Sequence, residues 1–183
     1  VSLLQFIQRR AATVGLVNIH AYAAATKALA GKELTEYGLL AENGAVGFTD
    51  GGRVIADALV LRRALAYASI FGRPIVQHPE EPSLARDGVM NEGETATRLG
   101  LAGIPAKAEV MIIERDLHLV ELTGGRYHVA NLSTAEGIDA IRRAKARGLP
   151  VTCDTAPHYF ALNDSAVTDY RTFAKVSPPL RGE

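Results

Sequence analysis

Short runs of β-branched and other apolar residues alternate along this chain with longer stretches whose apolar positions recur every three or four residues. Residues 15–20, 45–48, 74–77, 127–130 and 150–153 have the length and content of strands. Residues 34–42, 56–71, 92–98, 106–117 and 135–147 have the period of helices. The clearest of these is 56–71, where Ala58, Leu61, Leu65 and Ala68 fall on one face. Two junctions reinforce the pattern. Ser133-Thr134 ahead of Glu136 offers side-chain oxygens to the open N–H groups of a helix start, and Gly148 followed by Pro150 ends that helix and opens the next strand. Strands and helices alternating on this scale predict an α/β domain with a parallel sheet, spanning residues 1–183 as a single domain.

In such folds ligands gather beyond the C-terminal ends of the strands, so the polar residues that follow each strand carry the chemical information. They are His20, then Thr49-Asp50-Gly51-Gly52, then His78-Pro79-Glu80-Glu81, then Asn131-Leu132-Ser133-Thr134, and finally residues 154–158, Asp154 to His158. Three of the five histidines belong to this set. Imidazoles and carboxylates on separate strand ends are the layout a metal centre needs. His78 stands out, because it ends the apolar run Pro74-Ile75-Val76 and is followed by a proline that stops the strand. His20 and His158 read more simply as packed histidines. His118 reads as a helix-surface residue, and His128 lies mid-strand on the face opposite Asn131. Glu80 and Glu81 are adjacent and so point apart; they read as a loop that caps the next segment. Thr123-Gly124-Gly125 precedes a strand, not a helix, and reads as a turn.

Composition narrows the classes of partner. Twenty Lys and Arg balance twenty Asp and Glu, which gives nucleic acid nothing to be drawn to. The pairs Arg9-Arg10, Arg62-Arg63 and Arg142-Arg143 fall among apolar residues at helical spacing and read as solvated helix faces. The one cysteine, Cys153, forms no disulfide within the chain and fits a reducing compartment. No apolar run reaches the ~20 residues of a membrane span, and no leader pattern opens the sequence, so the expectation is a cytoplasmic protein without a membrane partner. A whole (β/α)8 barrel takes about 250 residues, so a barrel reading makes this an incomplete one.

Several stretches in order resemble dihydroorotase, of the amidohydrolase superfamily. They are Ala45-Val46-Gly47-Phe48-Thr49-Asp50-Gly51, the stretch from Gln77-His78 to Met90-Asn91-Glu92-Gly93-Glu94, and residues 123–134 from Thr123-Gly124-Gly125 to Asn131-Leu132-Ser133-Thr134. Thr152-Cys153-Asp154-Thr155-Ala156-Pro157-His158 and Val176-Ser177-Pro178-Pro179-Leu180-Arg181 complete the series.

The resemblance implies the central segment of a TIM-type (β/α)8 barrel of the metal-dependent amidohydrolase kind. Its activity would be the reversible hydrolysis of dihydroorotate to carbamoyl aspartate in pyrimidine synthesis, with zinc at the strand ends. It places His78 at a metal-binding histidine after the fifth barrel strand. Asn131 stands where the family usually has the next histidine, and Gly51 where many bacterial members have a metal-binding aspartate directly after the one matched by Asp50. The implied centre is therefore one zinc ion on His78, with Asp50 and Asn131 as further candidates and His158 as the candidate for substrate contact. The family's first-strand His-x-His motif, its substrate-binding arginine and asparagine and its late catalytic aspartate have no counterpart here. The resemblance also implies a homo-oligomer and admits two alternatives. One is a non-catalytic homologue serving as structural partner of aspartate transcarbamoylase. The other is a related hydantoinase or allantoinase, against which stands the absence of a lysine near Phe48-Thr49-Asp50.

Overall fold

The structure, a computed structural model, describes all residues from Val1 to Glu183. In chain order it contains α1 (Ser2–Val14), β1 (Ala21–Ala24), α2 (Tyr37–Glu42), β2 (Ala45–Thr49), α3 (Ala58–Ile70), β3 (Ile75–Gln77), α4 (Pro82–Ala85), β4 (Met90–Asn91) and α5 (Glu94–Leu99). There follow β5 (Gly103–Ile104), α6 (Lys107–Thr123), β6 (Tyr127–Val129), α7 (Ala135–Ala146), β7 (Val151–Cys153) and α8 (His158–Ala161). Two compact units are formed, residues 1–77 with 119–128, and residues 78–118 with 129–183.

In the first unit the strands lie in the order β1-β2-β3-β6. β1 is parallel to β2, with Ala24 opposite Thr49, and β2 is parallel to β3, with Thr49 opposite Val76. Phe48, Leu61, Ala64, Leu65 and Ile75 are fully buried, so the face of α3 picked out by its apolar period packs on the sheet. Asp57 starts that helix by accepting from the N–H groups of Leu59 and Val60. Tyr37 stacks on Phe48 at 3.9 Å and on Tyr67 at 4.8 Å between ring centres. Gly125 is needed where it stands, since a Cβ there would come 2.9 Å from the Leu65 carbonyl oxygen.

In the second unit β4 and β5 form a parallel pair, Met90 opposite Gly103 and Asn91 opposite Ile104. The buried stripe of α6 includes Ala108, Ile112 and Ile113, and that of α7 includes Ala140, Ile141 and Ala144. β7 follows α7 in this unit, and the Asp154 N–H donates to the Val129 carbonyl at 3.0 Å.

The expected alternation is present, with corrections at its start. Residues 15–20 are an exposed, irregular connection and the strand begins only at Ala21. The β-branched Val17 and Ile19 face solvent, whereas Ala23, in the strand, is buried. Small residues that let the sheet approach its cover outweighed strand propensity. His20 consequently precedes β1 and is exposed, at the wrong end of the strand for a ligand cluster. Helix α1 carries the Arg9-Arg10 pair on an exposed face, as expected of a solvated helix face, but its bounds were not drawn from the sequence. Helix α6 runs six residues past the expected end at 117, and the two-residue strands β4 and β5 were too short to show a period.

Candidate active site

The site is built in the second unit around the residues that follow β3 and β6. His78 comes directly after Gln77, the last residue of β3, and is 5% exposed. Burial holds its imidazole pKa below the ordinary value, outweighing Glu80 and Glu109, whose charges pull the other way. The ring is thus neutral near pH 7, the form that can ligate a metal or exchange a proton.

Asn131 follows β6 with φ of 60°, in the left-handed region that asparagine tolerates better than most residues. Its side-chain amide nitrogen lies 3.3 Å from Nδ1 of His78. With Nδ2 donating, the neutral ring carries its proton on Nε2. With the amide turned so that Oδ1 accepts, Nδ1 carries the proton and the Nε2 lone pair is free. Asn131 therefore sets the tautomer of His78.

The turn bearing Asn131 is held on both sides. Toward β7, the Asn131 N–H donates to Oδ1 of Asp154 at 2.6 Å, the Leu132 N–H donates to the Asp154 carbonyl at 2.9 Å, and the Thr155 hydroxyl donates to the Leu132 carbonyl at 2.7 Å. Toward α6, Glu109, 1% exposed, accepts from the hydroxyls of Ser133 at 2.5 Å and Thr134 at 2.6 Å and from both backbone N–H groups. Arg181 reaches the same place. Its Nε donates to Ser133 Oγ at 3.0 Å and its Nη1 to Asn91 Oδ1 at 3.2 Å, while Nη2 lies 3.8 Å from Glu109.

His158 sits in α8 with its ring 4.1 Å from that of Tyr159. Its Nε2 and one carboxylate oxygen of Glu80 are buried without a hydrogen-bond partner. Tyr159 donates to the Pro178 carbonyl at 2.9 Å, and its phenol is pushed up to about 12, chiefly by burial, with Glu109 adding and Arg181 opposing. Glu81 caps α4 by accepting from the Ser83 N–H, as its place in the sequence suggested. His118 is exposed on α6, and His128 lies within β6.

Asp50 belongs to the first unit. One of its oxygens accepts from the Thr26 N–H at 2.8 Å and the other from the Thr26 hydroxyl. Thr26 Oγ1 in turn accepts from the Gly31 N–H at 2.8 Å, so the carboxylate fastens the connection that follows β1. Gly51 has φ of 66°, with nothing within 4 Å of where a Cβ would stand. No group of three or more His, Cys, Asp or Glu side chains in the chain is placed to hold a metal ion. Taken by themselves, these residues do not fit a zinc ion: His78 is a sound donor, Asn131 offers only an amide, and Asp50 is engaged.

The sequence offers His78 and Asn131 as candidates, and the structure brings them together; Glu109 has no such place in the sequence reading, and Arg181 enters it only as part of a matching string. A signal for Glu109 exists: it shares the α6 stripe with Ile112, Ile113 and Val120, all buried, and a carboxylate on an apolar stripe has to be met by donors.

The model of the family described as dihydro-orotase-like matches residues 2–137. The chain is similar to the dihydroorotase of Desulforapulum autotrophicum, 50% identical over 98% of this chain and 42% of the relative. It is 46% identical to that of Syntrophobacter fumaroxidans over 99% of this chain and 41% of the relative. The chain thus spans about two fifths of the length of the curated relatives it matches. Among solved structures, the L-hydantoinase (dihydropyrimidinase) of Arthrobacter aurescens matches with a TM-score of 0.71 and 23% identity, over 91% of this chain and 38% of that one. The D-hydantoinase of Bacillus sp. AR9 matches with a TM-score of 0.65 and 24% identity, over 79% and 34%. The likeness shows the fold, that of part of a (β/α) barrel.

Proposed function

This chain belongs to the dihydro-orotase-like family, and on that premise we propose that the whole protein catalyses the reversible hydrolysis of dihydroorotate to carbamoyl aspartate. The observation that carries the reading is the match to curated dihydroorotases along nearly all of this chain. The reaction adds water across the ring amide: its carbonyl carbon becomes a carboxylate and the ring nitrogen leaves as part of a ureido group.

Within this chain His78 is the residue we assign to the reacting centre. It is buried and neutral, and with the Asn131 amide turned so that Oδ1 accepts from Nδ1, Nε2 is the nitrogen left to face a ligand. In a dry setting such a group is worth more than in water, because no solvent competes for it. We propose zinc as the metal, one ion, with His78 as a ligand and the remaining donors supplied from outside these 183 residues, since those present do not complete a site. Asp50 is better employed where it stands, on Thr26, and His158 is our candidate for substrate contact because its Nε2 is buried and unpartnered.

We further propose a cytoplasmic homo-oligomer, with aspartate transcarbamoylase as a partner to test by co-purification. No helix here is long and apolar enough to cross a membrane. The test of function is a substrate panel on the full-length protein. Turnover of dihydroorotate well above that of hydantoin and allantoin, abolished by His78→Ala, supports the reading. Preference for either of the other rings overturns it.

A further inference from the structure

We infer that Glu109 is a positioning residue, whose buried carboxylate clamps the Ser133–Thr134 turn and thereby fixes Asn131 against His78. The inference deepens the proposed function and rests on it for its catalytic consequence. The clamp itself is read from geometry.

Glu109 lies in the first turn of α6, where the helix dipole already favours negative charge. A carboxylate 1% exposed is costly unless its lone pairs are filled. They are filled by two backbone N–H groups and two hydroxyls from consecutive residues, Ser133 and Thr134. Thr134 Oγ1 also accepts from the Gly137 N–H at 3.1 Å and so caps α7. One side chain thus sets the start of α7 and the end of the turn that leaves β6.

Asn131 is two residues upstream of Ser133 and is itself in a left-handed conformation, which persists only where the surroundings over-determine it. Asp154 holds the Asn131 N–H from the β7 side, and Glu109 holds the far end of the turn from the α6 side. Between these two anchors the Asn131 backbone is held, with its side-chain amide 3.3 Å from His78 Nδ1. Arg181 braces the clamp. Its guanidinium bridges Ser133 Oγ to Asn91 Oδ1 and the Ile104 carbonyl, at 3.0, 3.2 and 3.4 Å, so its Nε and Nη1 donors are committed to structure. A substitution at Glu109 should therefore act at a distance. It releases the turn, Asn131 loses its aim, and the orientation and tautomer of His78 are no longer fixed, although no atom of Glu109 touches substrate.

The test uses the full-length protein and its Glu109→Gln and Ser133→Ala variants, with peptide-level hydrogen exchange and steady-state kinetics read side by side. Glu109→Gln keeps the volume and removes the charge that the donors face. We expect exchange across 131–134 to quicken about 10-fold with the interior of α7 little changed. We expect kcat to fall about 10-fold or more with KM within about twofold, because an interaction felt in the transition state is lost while ground-state binding is not. Ser133→Ala retains both backbone bonds to Glu109 and should fall between Glu109→Gln and the unmodified protein on both measures. Unchanged exchange in the turn overturns the clamp. A loosened turn with kcat per folded, zinc-loaded molecule unchanged reduces Glu109 to fold support and overturns its positioning role. If the unmodified protein turns over no dihydroorotate, the proposed function has failed, and the exchange measurement still decides the clamp. Should Glu109→Gln not fold, Ser133→Ala carries the comparison, with Thr134→Ser, which keeps its hydroxyl, as the conservative control, and no change in exchange or kcat in Ser133→Ala overturns the inference.

Discussion

Asn131 concentrates what is distinctive about this chain. It occupies the position that resemblance to the family reserves for a metal-binding histidine, yet its amide is 3.3 Å from His78 Nδ1 and its backbone is left-handed. Histidine, like asparagine, is among the residues that enter that region more readily than most. Asn131→His should therefore be accepted by the backbone and raise the zinc content of the full-length protein, measured by elemental analysis, while turnover stays flat because Gly51 still supplies no carboxylate. Unchanged zinc content would count against the turn as a ligand position. Tyr159 gives a second prediction. Folded, its phenol keeps the proton to about pH 12, whereas an unfolded tyrosine loses it near about pH 10. Its stabilising contribution is thus fully present below about pH 10 and is lost as pH rises through about 12. Melting temperature against pH should show a steeper alkaline fall for the unmodified protein than for Tyr159→Phe; parallel curves would refute the assignment. His78 and Asn131 were legible because each ends an apolar run. Glu109 was not, because nothing in a linear sequence ties a helix residue to a turn 24 positions on.

Among the elements, α3 could be read closely from its clear period, and α7 from its period together with Thr134, whose side chain accepts from a first-turn N–H; Asp57 caps α3 in the same way. Strand β1 was misplaced by several residues. Its sequence, Ala21-Tyr22-Ala23-Ala24, is poor in β-branched residues, and its place is settled by pairing with β2, a long-range fact. The pair β4 and β5, two residues each, shows no period at all; it is formed by long-range pairing, with the Ile104 carbonyl accepting from Arg181. At this scale Thr134→Ala removes both the α7 cap and one bond to Glu109, and should destabilise the protein by about 1–2 kcal/mol. Thr134→Ser should recover most of the loss. A melting temperature equal to that of the unmodified protein would show the cap to be idle.

For the molecule as a whole, the parallel β-α pattern and the fold likeness to the hydantoinase structures agree, and neither depends on any one site residue. The 183 residues by themselves leave large apolar side chains in solvent, among them Leu3 at 75%, Phe6 at 59% and Leu16 at 83% exposed, and β1 stands at one end of the strand order. An open strand edge beside uncovered apolar surface favours self-association. Expressed alone, the segment should run as aggregates in light scattering, and a monodisperse, cooperatively melting monomer would contradict that. The central claim, that this chain contributes His78 to a zinc-dependent dihydroorotase, is tested most directly by one measurement on the full-length protein. Dihydroorotate turnover is followed before chelation, after it, and after zinc is restored. The account predicts turnover that disappears on chelation and returns with zinc in the unmodified protein but not in His78→Ala. A full-length protein that is folded, zinc-supplemented and still without turnover would contradict it.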